Sequence, residues 1–79
     1  MLTTGNQLKA ARALAGLDQG DVAKRAGIST NTISAMEKRG AETLTSGLDT
    51  IKAVMTVLEA EGIEFLNHGQ PGVRLKAGK

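Results

Sequence analysis

Thr30, Asn31, Thr32, Ser34 and Ala35 crowd into one short stretch, with Lys38 close behind and Ile33 and Met36 set between them as the apolar positions. The chemistry open to these side chains is recognition. Hydroxyls and a carboxamide donate and accept hydrogen bonds, and nothing in the chain resembles a nucleophile with its base, a metal cluster or a glycine-rich phosphate loop. The Asn31 amide matches the N6 and N7 edge of adenine, while Ala35 and the methyls of Thr30 and Thr32 suit the methyl of thymine. No arginine stands among these residues, so a guanine clamp is not expected. A face of short, nearly uncharged side chains enters a major groove without clashing.

The elements that must position this face are legible from Leu17 to Gly40, which reads as two short helices joined by a turn. Asp18 is expected to cap the first, with Asp21 in the capping-box position and Val22, Ala23 and Ala26 on its apolar face. Gly27 ends it. Ile28 is expected to plug between the helices, Ser29 to cap the second, and Gly40 to close it. The expected bounds are about 19–26 and about 30–39.

The pattern Gln19, Ala23, Gly27, Ile28-Ser29, Ile33 and Glu37 resembles the Xre/Cro family of lambda-repressor-like helix-turn-helix regulators, of the small bacterial or phage and mobile-element kind. The likeness extends upstream through Gln7–Arg12, similar to that family's first helix, and downstream through Leu58–Phe65 and Gly72–Leu75. It implies a mainly α, four-helix domain with a short C-terminal β-hairpin or dimerising strands. Several roles follow from the resemblance. Gln19 matches a position that bonds a phosphate and braces the recognition helix. Arg12 and Glu37 match positions that form an ion pair between the first and third helices, a structural role. Thr30, Asn31, Thr32, Ser34 and Ala35 become the base-reading set, with Ser29, Lys38 and Arg39 as further phosphate contacts, although for Ser29 the helix cap is the preferred role. Gly20 departs from the pattern, which has a longer polar residue there.

Composition narrows the partners. The 79 residues carry a net charge of +2, no cysteine, one histidine and one aromatic residue, Phe65. Base-stacking platforms for single strands or RNA are therefore excluded, and duplex reading remains. Residues 1–40 hold Lys9, Arg12, Lys24, Arg25, Lys38 and Arg39 against Asp18, Asp21 and Glu37, whereas 41–64 hold Lys52 against Glu42, Asp49, Glu59, Glu61 and Glu64. A basic end opposite an acidic end suits docking of one face on phosphate. No membrane segment or signal peptide is read, and a soluble, cytoplasmic, nucleoid-associated protein without cofactor or metal is expected.

The rest of the chain is read as one domain over 1–79, with a helix-turn-helix core of about 6–61 and a β segment of about 63–76. Thr4-Gly5-Asn6-Gln7 has the form of a capping box opening a helix with Leu8, Ala11 and Ala15 inward and Leu14 flanking, ended by Gly16. Ser46-Gly47-Leu48-Asp49 offers another cap, followed by Leu48, Ile51, Val54, Met55 and Leu58 as an apolar stripe. After Gly62 comes a strand-like run, a type II turn at Gln70-Pro71-Gly72-Val73 with Gly72 at positive φ, and an alternating Val73–Lys76. His68 falls in that turn region with no neighbouring ligand. Two strands alone are marginal, so they must pair with a second copy, through Phe65, Val73 and Leu75, or pack on the helices. A homodimer on a partly palindromic operator, acting as repressor or activator with a possible RNA polymerase contact, is the favoured expectation. A protein-interaction module, such as an antitoxin or antirepressor partner, and a recombination-control factor are the alternatives; an enzyme is not expected.

Overall fold

The structure is a computed structural model that describes residues 1–67 and 71–76. Four helices, α1 (Gly5–Ala15), α2 (Gln19–Ala26), α3 (Thr30–Lys38) and α4 (Leu48–Ala60), precede two antiparallel strands, β1 (Ile63–Leu66) and β2 (Gly72–Leu75). The protein is thus mainly α with a small C-terminal hairpin. His68 and Gln70 lie outside the described residues.

Local signals set most of the helix ends. Thr4 and Gln7 form the capping box of α1, Asp18 and Asp21 that of α2, and the Ser29 hydroxyl accepts from the Thr32 amide at the start of α3. Gly16 and Gly27 take left-handed conformations, at φ 73 and 75, that stop α1 and α2 and would strain any residue with a Cβ. α3 ends one residue earlier than expected, with Arg39 as its cap and Gly40 turning the chain at φ 60.

Three expectations need correction. Gly47, not Ser46, is the N-cap of α4, and no side chain bonds the first turn there. Ser46 stands one residue too early for its hydroxyl to meet the amides of that turn. Leu48 is 54% exposed, while Val57 is buried beside Ile51, Val54 and Leu58. At about 100° per residue the buried stripe of α4 drifts along 51, 54 and 57, leaving Leu48 on the solvent side of the first turn. Gly72 does not sit at positive φ in a turn; it is a strand residue paired with Leu66.

The core joins Leu8, Ala11, Val22, Ala23, Ile33, Met36, Ile51, Val54, Leu58 and Ile63, and takes in Leu2 and Leu44 from segments without periodicity. Leu2 is buried because the chain around it is held as extended backbone. Thr4 bridges Thr43, the Leu44 amide donates to the Thr3 carbonyl at 2.8 Å, and the Asn67 amide donates to the Met1 carbonyl at 2.6 Å.

The strands pair with each other, in the register Ile63↔Leu75, Glu64↔Arg74, Phe65↔Val73 and Leu66↔Gly72. The hairpin packs on α1 and α4. Gln7, only 3% exposed, locks it there. Its Oε1 accepts from the amides of Thr3 at 2.7 Å and Thr4 at 3.1 Å, and its Nε2 lies 3.2 Å from the carbonyls of both Leu66 and Gly72. Gln7→Leu keeps the volume and removes every one of these partners. At about 1–3 kcal/mol for each buried polar group left unpaired, the variant is expected to melt well below the parent. Thermal denaturation followed by circular dichroism checks this; an unchanged melting temperature would mean that water replaces the amide.

Candidate nucleic-acid interface

The geometry begins at the turn between α2 and α3. Ala23 is buried where the helices approach, Gly27 donates to the carbonyls of Ala23 and Lys24, and the Ile28 amide donates to Ala23 at 3.0 Å. Ile28 is half-buried and packs on the core, as the plug between the helices. Burial of Ile33 and Met36 then fixes the roll of α3. Thr30, Asn31, Ala35 and Lys38 are left exposed, with Thr32 and Ser34 half-buried at the margins. Asn31, Ala35 and Lys38 follow one another at i, i+4 and i+7, a row along the outer face of the helix.

Ser29 is exposed but its hydroxyl is engaged, accepting from the Thr32 amide at 3.2 Å and lying 2.9 Å from the Thr32 hydroxyl. The cap thus ties two of the predicted site residues to each other. Asn31 makes no side-chain hydrogen bond among the described residues, so both ends of its amide face outward unspent.

Behind the exposed row, Arg12, Glu37 and Gln19 form one network. Arg12 donates Nε to Glu37 Oε2 at 2.7 Å and Nη2 to Oε1 at 3.0 Å, and gives Nη1 to the Leu17 carbonyl at 3.1 Å. Gln19 donates Nε2 to Glu37 Oε1 at 3.1 Å. The ion pair expected between α1 and α3 is present, and Gln19 braces α3 through its glutamate. Burial pushes the Glu37 carboxyl up, but hydrogen bonds from Arg12 and Gln19 and the charges of Arg12 and Lys9 outweigh it and hold the group below the ordinary carboxylate value. The bond to Glu37 raises Arg12, against a smaller lowering by burial.

Arg12, Arg25, Arg39 and Arg74 are all the arginines of the chain, and each faces a glutamate: Glu37, Glu61, Glu42 and Glu64 in turn. Arg39 also donates Nε and Nη2 to the Thr43 carbonyl, which holds the connector after α3. Its predicted phosphate role competes with that bond. Lys9, Lys24 and Lys38 are exposed and enter no ion pair among the described residues. Lys9 was not singled out from sequence. It falls between Gly5, which packs on the end of α3, and Arg12, which bonds Glu37, so it borders the α1–α3 seam. Its i, i+3 relation to Arg12 was the available signal.

The predicted dimer residues separate. Phe65 and Val73 pack against the protein's own core, and Leu75 is 45% exposed. Among the described residues no three histidine, aspartate or glutamate side chains gather as metal ligands, and no helix is long and apolar enough to cross a membrane.

The family model for the helix-turn-helix domain matches residues 4–65, a span that includes every element from α1 to the end of β1 save its last residue. The chain belongs to the helix-turn-helix domain family. Comparison with curated proteins gives no match. Within this helix-turn-helix domain, α2 and α3 are the motif and α3 presents the exposed row, so DNA binding is the activity that the family membership implies.

Proposed function

We propose that the protein is a sequence-specific regulator that binds duplex DNA through α3, as a homodimer on a partly palindromic site in the cytoplasm. One observation carries this reading. The outward row of α3 is short, uncharged up to Lys38 and free of side-chain hydrogen bonds at Asn31 among the described residues, while a partly buried ion-pair network clamps the helix from behind. A rigid helix with unspent donors and acceptors at its N-terminal end fits base edges in a major groove.

In this reading Asn31 takes an adenine, Ala35 and Thr30 take thymine methyls, and Thr32 and Ser34 border the contact. Gln19, Ser29, Lys38 and Arg39, joined by Lys9, supply phosphate contacts, so affinity falls as salt rises. Two copies would place their helices about 10 bp apart, centre to centre. Leu75 supports pairing of copies, because it remains exposed at the end of the chain's own hairpin. In this reading the output is set by position, repression where the site blocks polymerase and activation where it touches it.

Fluorescence anisotropy of labelled duplexes against scrambled DNA, at two salt concentrations, tests the proposal. Asn31→Ala is expected to lower specific affinity about fivefold to 150-fold, and non-specific affinity hardly at all. If no duplex in a broad pool binds better than scrambled DNA while the protein stays folded, the regulator reading fails.

A further inference from the structure

We propose that methylation of adenine at N6 switches this protein off its DNA site, with Asn31 as the sensing side chain; the inference rests on the DNA-reading role of α3. Its basis is how few alternatives the structure leaves. Arg12, Arg25, Arg39 and Arg74 all lie outside α3, so no guanidinium on the reading helix carries base recognition in place of Asn31. Asn31 is the only carboxamide on α3, exposed and without an internal partner among the described residues. It is therefore the one side chain of α3 whose donor and acceptor together match the N6 and N7 edge of an adenine.

That contact needs the major-groove hydrogen of the adenine amino group. Asn31 Nδ2 donates to adenine N7 while Oδ1 accepts from the N6 hydrogen that is not used in pairing with thymine. In a paired N6-methyladenine the second hydrogen still serves the thymine, so the methyl takes the place of the first, beside N7. The donor to Oδ1 is gone, and a methyl group stands in the path of the amide.

The protein has little room to accommodate it. Asn31 has only two side-chain torsions and cannot reach round the methyl as a longer side chain would. Nor can α3 recede, because Arg12 and Gln19 hold Glu37, and the Asn6 amide holds the Gly40 carbonyl at 2.8 Å. The regulation is a consequence of rigidity: a helix that cannot shift converts one added methyl into loss of the contact.

The test starts from a random duplex pool enriched on the full chain. The best-bound duplex is then synthesised with N6-methyladenine at each adenine in turn, and affinities are measured by anisotropy. One adenine in each bound half-site is expected to weaken binding about fivefold to 150-fold when methylated. Asn31→Ala, with its fold checked by circular dichroism, is expected to bind the methylated and plain duplexes within about twofold. An enriched duplex that tolerates methylation at every adenine overturns the inference and leaves DNA reading intact, as does an Asn31→Ala protein that still discriminates. Failure of the pool to enrich any sequence instead removes the DNA-reading role on which the inference stands.

Discussion

Gly5→Ala is expected to be the most damaging small substitution in the chain, lowering stability by about 3 kcal/mol or more and abolishing DNA binding with it. A Cβ at Gly5 would run into the Met36 carbonyl oxygen and stand 2.9 Å from both the Glu37 carbonyl oxygen and the Gly40 amide nitrogen. All three are backbone atoms, which cannot rotate aside as a side chain would. The first turn of α1 would have to lift from the end of α3, stretching the Asn6–Gly40 hydrogen bond and disturbing the Thr4–Gln7 capping box at the same point. Single domains hold together by only about 5–15 kcal/mol, so the loss is a large share. Gly47→Ser is the control: nothing lies within 4 Å of a Cβ there, and the residue caps a helix that lacks a side-chain cap. A gain of a few tenths of a kcal/mol is expected from the new hydroxyl. Chemical denaturation of the two variants separates steric overlap from any general sensitivity of glycine positions, and equal stabilities would refute the close-approach account.

Arg12→Ala is expected to cost about 3–5 kcal/mol, because it strands the Glu37 carboxylate in a site where that side chain is 7% exposed. Gln19 alone remains to bond it. The same network sets an acid limit. The folded carboxyl of Glu37 titrates below its unfolded value, so its contribution is fully present above the unfolded value of about 4.3 and is lost as the pH falls through the folded one. Glu37→Gln is expected to lower stability at neutral pH and to flatten its decline in that acid range. The gap between parent and variant should therefore close as the solution is acidified; a gap that stays constant from neutral pH to pH 3 would show that the pair contributes nothing through its charge. Because Glu37 lies on α3, the loss of the pair should also loosen the reading helix, weakening specific DNA binding before the protein unfolds.

Much of the fold was legible because helix ends are local events. Thr4, Asp18 and Ser29 act within three residues of themselves, and Gly16 and Gly27 act on their own backbone, so sequence alone determined where α1, α2 and α3 begin and where α1 and α2 end. The exposed row of α3 was legible for a related reason: once Ile33 and Met36 face inward, helical geometry dictates that Asn31, Ala35 and Lys38 face out. The Arg12–Glu37 pair came from family likeness, and no local rule could have supplied it, since its partners lie 25 residues apart on α1 and α3 with α2 between them.

Tertiary structure alone decided the rest, because those contacts depend on which segments meet. Leu2 and Leu44 show no periodicity, and they became core only when the N-terminal segment paired with the connector before α4. Gln7 reads as an ordinary capping residue until the hairpin folds back and places the carbonyls of Leu66 and Gly72 against its amide. Whether Phe65 and Val73 face a second copy or the chain's own core could not be read from alternation, which is the same for both. Packing on α1 turned them inward and left Leu75 exposed. Gly5 carries the sharpest contrast: as a letter in a capping box it was free to vary, and the approach of the α3 backbone left no room there for a Cβ.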